Sequence, residues 1–192
     1  MFRQLGPALR MMLLFTLVTG LIYPGVVTGI CQLLFHSQAN GSLLYRNGQI
    51  VGSSLLGQNF GAPGYFHPRP SAAGNDGYDA TASGGFNYGP TNRKLYDRVK
   101  ASAAQFHKEN PNFTGEIPAD ALTASASGLD PDISVANALA QSARVAKTRG
   151  VDQPTIADLI AKFAQPRDLG FLGEPRVNVL QLNMGLDRRF GK

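Results

Sequence analysis

The sequence predicts an α+β protein: a single N-terminal transmembrane helix followed by one extracytoplasmic α+β domain. Three observations predict it. Residues 11–35 contain no Asp, Glu, Lys, Arg or His. Strand-like stretches stand at both ends of the remainder, around the turn pair Asn47-Gly48 and at Val177-Asn178-Val179-Leu180. Between them, three segments repeat apolar residues at helical spacing behind capping side chains, and strands flanking a run of helices read as α+β.

The uncharged stretch comes first. At about 1.5 Å per residue it is roughly 37 Å long as a helix, enough to cross a hydrocarbon core of about 30 Å with some tilt. Arg3 and Arg10 precede it, and no Lys or Arg follows until Arg46. The positive-inside rule therefore places residues 1–10 in the cytoplasm, 11–35 in the membrane and 36–192 outside. A cleaved signal peptide, with Ser37-Gln38-Ala39 as its cleavage site, would have an apolar core of only about 7–15 residues, so the anchor is expected to be retained. Gly25 and Gly29 are in G-x-x-x-G spacing with Thr28 beside them, the pattern that lets two membrane helices approach closely. Pro24 frees the carbonyl of Gly20 and is expected to kink the helix.

Outside the span, Ser42 to Arg46 and Gln49 to Ser53 flank Asn47-Gly48, a pair suited to a type I′ hairpin turn. Residues 61–90 hold 7 Gly and 4 Pro interleaved with Tyr65, Phe66, Tyr78, Phe86 and Tyr88. Those rings argue for a long ordered loop rather than a flexible linker. Its polar and aromatic residues on irregular backbone make Gln58, Asn59, Phe60, Tyr65, Phe66, Arg69 and Ser71 the candidate subunit interface. Asn92 is expected to cap a helix with Leu95, Val99, Ala103 and Phe106 inward, ended by Asn110-Pro111. Ser134 is expected to cap a second, with Leu139, Ala143 and Ala146 inward and Gly150 as its stop. Asp152 opens a third, with Pro154 in its first turn and Ile156, Leu159, Ile160 and Phe163 buried. A strand over residues 177–180 then precedes a helical turn at 182–186, and Arg188, Arg189 and Lys192 are assigned to a loose tail.

Composition and motifs exclude several functions. With Arg3 and Arg10 inside, 16 basic and 13 acidic residues leave only +3 outside, scattered rather than clustered with aromatics, which argues against nucleic-acid binding. The single cysteine, Cys31, is in the span, so no disulfide is expected in the outer domain. G-x-x-x-x-G-K-[ST] does not occur, and His36, His67 and His107 lack metal-ligand spacing. No catalytic, metal-binding or cofactor-binding residue is therefore assigned. Thr123, Ser125, Ser127, Gly128 and Asp130 read as a structural turn, hydroxyl and carboxylate groups bonding nearby backbone amides. The alternatives are a membrane-anchored extracytoplasmic serine hydrolase using Ser125 or Ser127, and a stand-alone binding module.

Several stretches together resemble the C subunit of the Kdp-type potassium-transporting P-type ATPase. They are Gln38-Ala39-Asn40-Gly41-Ser42, Gly52-Ser53-Ser54-Leu55-Leu56-Gly57-Gln58-Asn59-Phe60, Tyr65-Phe66-His67-Pro68-Arg69-Pro70-Ser71-Ala72, residues 122–133, Arg144-Val145-Ala146-Lys147-Thr148-Arg149 and Val177-Asn178-Val179-Leu180. They occur in the family's order along essentially the whole chain. Residues 78–87 depart from it, since the family tends to have proline near Ala80 and serine at Phe86. The resemblance implies an accessory, non-catalytic, single-pass subunit of a bacterial inner-membrane potassium uptake complex. Its partners would be a potassium-conducting subunit and an ATP-hydrolysing subunit, with ATP, magnesium and potassium bound on those. Assembly, a cap at the ion entrance, or a catalytic chaperone raising nucleotide affinity are the roles it implies, and an outer domain, unable to touch cytoplasmic ATP, favours the first two.

Overall fold

The computed structural model describes residues 2–191, in two compact units that meet in sequence between Val51 and Gly52. The first unit is dominated by a continuous helical rod, Phe2–Leu34, long and apolar enough to cross a membrane and buried nowhere along its length. A 3-10 turn (Phe2–Gln4) leads into α1 (Leu5–Leu17), a π-helical turn (Val18–Ile22) and α2 (Tyr23–Leu34). The wide turn is where Pro24 acts. Proline has no N–H for the carbonyl of Gly20, and its ring would crowd that carbonyl. The π turn centred on Gly20 opens the backbone there, and the Tyr23 N–H reaches back to Val18 O. The proline's disturbance is thus absorbed as one widened turn within an unbroken helix.

A single turn, α3 (His36–Ala39), follows, then the hairpin strands β1 (Leu43–Arg46) and β2 (Gln49–Ser53). Asn47 (φ +51°) and Gly48 (φ +77°) carry the two left-handed conformations that a type I′ turn requires.

The second unit contains α4 (Arg93–Glu109), α5 (Ala119–Leu122), β3 (Asp132–Ser134), α6 (Val135–Arg149), α7 (Gln153–Phe163), β4 (Ala164–Gln165), β5 (Arg176–Asn178) and α8 (Val179–Phe190). Its antiparallel sheet has the order β3-β5-β4, with Val177 opposite both Ile133 and Ala164. Ile133, Val145, Ile156, Ile160, Val177, Leu182 and Leu186 build the core between this sheet and α6, α7 and α8. Each long helix begins on a side-chain cap: Asn92 accepts from Lys94 N, Ser134 from Asn137 N, Asp152 from Thr155 N and Asn178 from Gln181 N. Gly150, at φ +68°, ends α6 in the left-handed region that glycine tolerates.

Three expectations need correction. Leu139 is 44% exposed rather than inward. The inward side of α6 carries Asn137 and Gln141, bonded to each other at 2.9 Å, together with Ala138, Ser142 and Val145. Gln141 serves the neighbouring loop and Asn137 donates to Asp120 of α5, and their placement turns Leu139 outward. The last strand stops at Asn178, and Val179 and Leu180 already belong to α8, because the Asn178 side chain caps the helix there. Arg188 and Arg189 are in the last turn of α8, where positive charge suits the helix dipole, rather than in a loose tail. Lys192 lies outside the described residues.

Candidate functional site

Residues 54–92 contain neither helix nor strand, yet Phe66 and Ala73 within them are fully buried. A backbone run of this kind must find partners for its N–H and C=O groups outside regular structure. Two amide side chains supply them at consecutive residues. Asn183 of α8 accepts from Phe66 N (2.9 Å) and donates to Phe66 O (3.0 Å). Gln141 of α6 accepts from His67 N (2.7 Å) and donates to His67 O (3.1 Å). Each amide thus replaces one rung of a β ladder, and the Phe66 ring can then enter the core.

Arg144 reinforces the same place. Its guanidinium donates to Pro63 O, Tyr65 O, the Asn110 side chain and Gln141 Oε1. Burial pushes it down to about 10, opposed by the nearby Glu109 carboxylate, so it remains charged at neutral pH. Glu109 faces His67 Nδ1 at 3.0 Å, and the hydrogen bond to His67 is the main reason its carboxyl titrates below the usual range. One turn further along α6, Arg149 is paired with Asp187 at 2.9 Å, the side chains 8% and 5% exposed. The Tyr65 hydroxyl donates to the same carboxylate, and the Arg149 guanidinium stacks 4.7 Å from the Tyr65 ring centre.

A second anchorage joins the loop to residues 123–132. Ser127 Oγ accepts from Leu129 N, and Asp130 Oδ1 accepts from Asp132 N. The Thr123 hydroxyl donates to Ala119 O, while Ser125 Oγ stands 3.5 Å from Ser127 Oγ. The backbone carbonyls of this turn serve the loop: Gly57 N donates to Leu129 O, Ser71 Oγ to Gly128 O and Gly84 N to Ser127 O. Gly128 has φ +68°, and a Cβ there would come within 2.7 Å of Ala73 N, so no larger residue fits. Arg69 reaches across to Asp130 Oδ2 at 2.7 Å, and Tyr78 donates its hydroxyl to Arg69 O. Burial, and after it the charge of Asp130, pushes the Tyr78 phenol upward, with Arg69 opposing.

The candidate interface residues therefore separate by position. Phe66 is in the core and Phe60 packs against it. Tyr65 is held by Asp187 and Arg149, Arg69 by Asp130, and Ser71 Oγ by Gly128 O. Asn59, Phe60, Arg69 and Ser71 share the rim of a groove of about 670 Å³ between the loop and α4, with Gln105 and Glu109 opposite. Gln58 packs over Gly52. In the membrane-length helix, nothing lies within 4 Å of a Cβ built on Gly25 or Gly29, so both glycines are open. Ser125 and Ser127 line a separate groove of about 620 Å³ that includes Arg69 and Asp130 and no histidine. Sequence reasoning missed Gln141, Arg144, Arg149 and Asn183. Their partners in the loop are remote in sequence, 117 residues away for Asn183 and 74 for Gln141, so no local signal marked them.

A family model described as the c chain of the K+-transporting ATPase, KdpC, matches residues 5–188. The chain belongs to the KdpC family. Curated relatives cover nearly its whole length. A "Potassium-transporting ATPase KdpC subunit" of Gemmatimonas aurantiaca is 56% identical over 187 residues, 97% of this chain and 94% of the relative. Subunits of the same description from Rhodospirillum rubrum and Mycobacterium tuberculosis are 53% and 54% identical over 190 residues, covering 99% and 98% of this chain and 98% and 100% of the relatives. The match takes in the apolar helix as well as the unit behind it, so both parts belong to the family's pattern.

Proposed function

We propose that this chain is the accessory, non-catalytic subunit of an ATP-driven potassium uptake complex, anchored once in the bacterial inner membrane with its second unit outside. It stabilises the assembly and covers the outer ion entrance of the potassium-conducting subunit, while ATP, magnesium and potassium bind to other subunits. The observation that carries this reading is the family match through residues 5–188, with relatives described as subunits of a potassium-transporting ATPase. Arg3 and Arg10 ahead of the uncharged span support the orientation. The hydrolase alternative is not favoured: Ser127 Oγ is occupied by Leu129 N, and His67 is paired with Glu109.

Co-expression with the potassium-conducting and ATP-hydrolysing subunits tests the proposal. An affinity tag on this chain should recover both, and omitting the chain should reduce the yield of the intact complex and of potassium-stimulated ATP hydrolysis. An intact, fully active complex without it would overturn the reading. Protease added outside spheroplasts should digest residues 36–192, and protection of that region would reverse the orientation. In the membrane, Gly25 and Gly29, with Thr28, form the proposed contact face, since close packing rather than apolarity drives helix association in lipid. Gly25→Leu with Gly29→Leu should leave insertion intact and eject the chain from the complex. Normal recovery of that double variant would make the glycines incidental.

A further inference from the structure

Between β4 and β5, residues 166–175 form a small finger that the function proposed above does not use. Its tip displays three large apolar side chains to solvent: Leu169 is 83% exposed, Phe171 69% and Leu172 49%. Soluble surfaces scatter such residues singly, and a cluster of them at one projection marks a contact site. The backbone beneath is closed on itself. Asp168 N donates to Leu172 O and Leu172 N to Asp168 O, both at 2.9 Å. Leu169 has φ +53° and Gly170 φ +83°. A leucine in the left-handed region is a strained choice that a glycine would relieve, and strain retained at an exposed tip points to use.

The charges of the finger are paired, within it or with β5. Arg167 forms a two-pronged bond to Glu174 (2.8 and 2.7 Å), and Arg176, which also pairs with Asp132, is 3.4 Å from Asp168. Both arginines are thus engaged with carboxylates rather than held free for lipid phosphates, which disfavours a membrane surface as the occupant. A rigid, pre-formed apolar shape instead suits a pocket, because less conformational freedom is lost on docking.

We propose that the tip of this finger, Leu169, Phe171 and Leu172, is an anchor that inserts into an uncharged apolar pocket on a protein subunit of the same complex, an inference that rests on the subunit reading. Leu169→Asp with Phe171→Asp, in the full-length chain co-expressed with its partner subunits, should lower recovery of the complex at least about tenfold, the scale of a buried interface anchor. The melting temperature of the variant alone in detergent should not fall. Leu169→Gly separates docking from folding, because relief of the left-handed strain should hold or raise the melting temperature while recovery drops. A polarity-sensitive fluorophore on Leu169→Cys, in a Cys31→Ser background, identifies the occupant. It should shift to the blue with the partner subunits present, and not with the chain alone in phosphatidylcholine–phosphatidylglycerol vesicles. A shift in vesicles alone would assign the tip to lipid, and no shift in the complex would leave it solvent-exposed; either overturns the proposal. Wild-type recovery in normal yield alongside equal recovery of both variants refutes the anchor but not the subunit reading. Failure to recover the wild type refutes both.

Discussion

Two irregular segments of the second unit are ordered by opposite means. Residues 54–92 are held from outside, by Asn183, Gln141, Arg144 and Arg149 reaching from two helices, and they turn an aromatic ring inward. Residues 166–175 are held mainly by their own backbone and the Arg167–Glu174 pair, with Arg176 of the adjoining strand at their base, and they turn apolar side chains outward. The difference teaches where stability and recognition reside. Segments clamped by distant groups belong to the folding of the unit, whereas a self-contained segment can be altered with little effect on the fold.

The largest effect should come from breaking the buried clamp. Arg149→Met removes the buried ion pair with Asp187 and should destabilise the chain by about 3–5 kcal/mol in urea unfolding followed by circular dichroism. Adding Asp187→Leu should recover part of that loss, since the buried charge goes with it. Asn183→Leu comes next, because it strands Phe66 N and Phe66 O in a dry site. About 3 kcal/mol is expected, with the m-value retained.

A smaller effect should appear as a pH dependence. Hydrogen bonding to His67 holds the Glu109 carboxyl below its ordinary range in the folded chain. The stability it contributes is present above the unfolded-state value and lost as pH falls through the folded one. Urea midpoints of the wild type should therefore fall more steeply than those of Glu109→Gln on acidification below the ordinary glutamate range. Parallel profiles would show that the pair adds nothing to the clamp.

The smallest effect belongs to the finger. Arg167→Ala removes an ion pair whose side chains are 45% and 78% exposed, and stability should change by less than about 1 kcal/mol. A loss as large as that of Asn183→Leu would break the comparison, because the finger would then be part of the folding framework.

What the sequence made legible follows the reach of each interaction. The caps at Asn92, Ser134 and Asp152, the Asn47-Gly48 turn and the stop at Gly150 act over two to four residues, and their residue types announce them. Asn178 escaped because it stands inside an alternating run that reads as strand, although it caps a helix. Gln141 and Asn183 were illegible for another reason: their partners lie 74 and 117 residues away. No local pattern distinguishes an amide that serves a remote loop from one that faces water, and the misplaced Leu139 followed from that. The Ser127 and Asp130 side chains bond amides two residues on, so their geometry is the kind that composition can suggest. The finger offered no periodicity at all, and its closed backbone was visible only in three dimensions.

The π turn at Val18–Ile22 has a geometric result for the membrane-length helix. A π turn holds about one residue more than an α turn, so every later side chain is set back by about 100° around the axis from its place in an unbroken α-helix. A stripe of side chains followed down α1 therefore emerges in α2 on a different azimuth. A straight neighbour lying along Gly25 and Gly29 loses register with the residues ahead of Gly20. The rod consequently presents two contact directions instead of one, the second set by the place where Pro24 widens the turn.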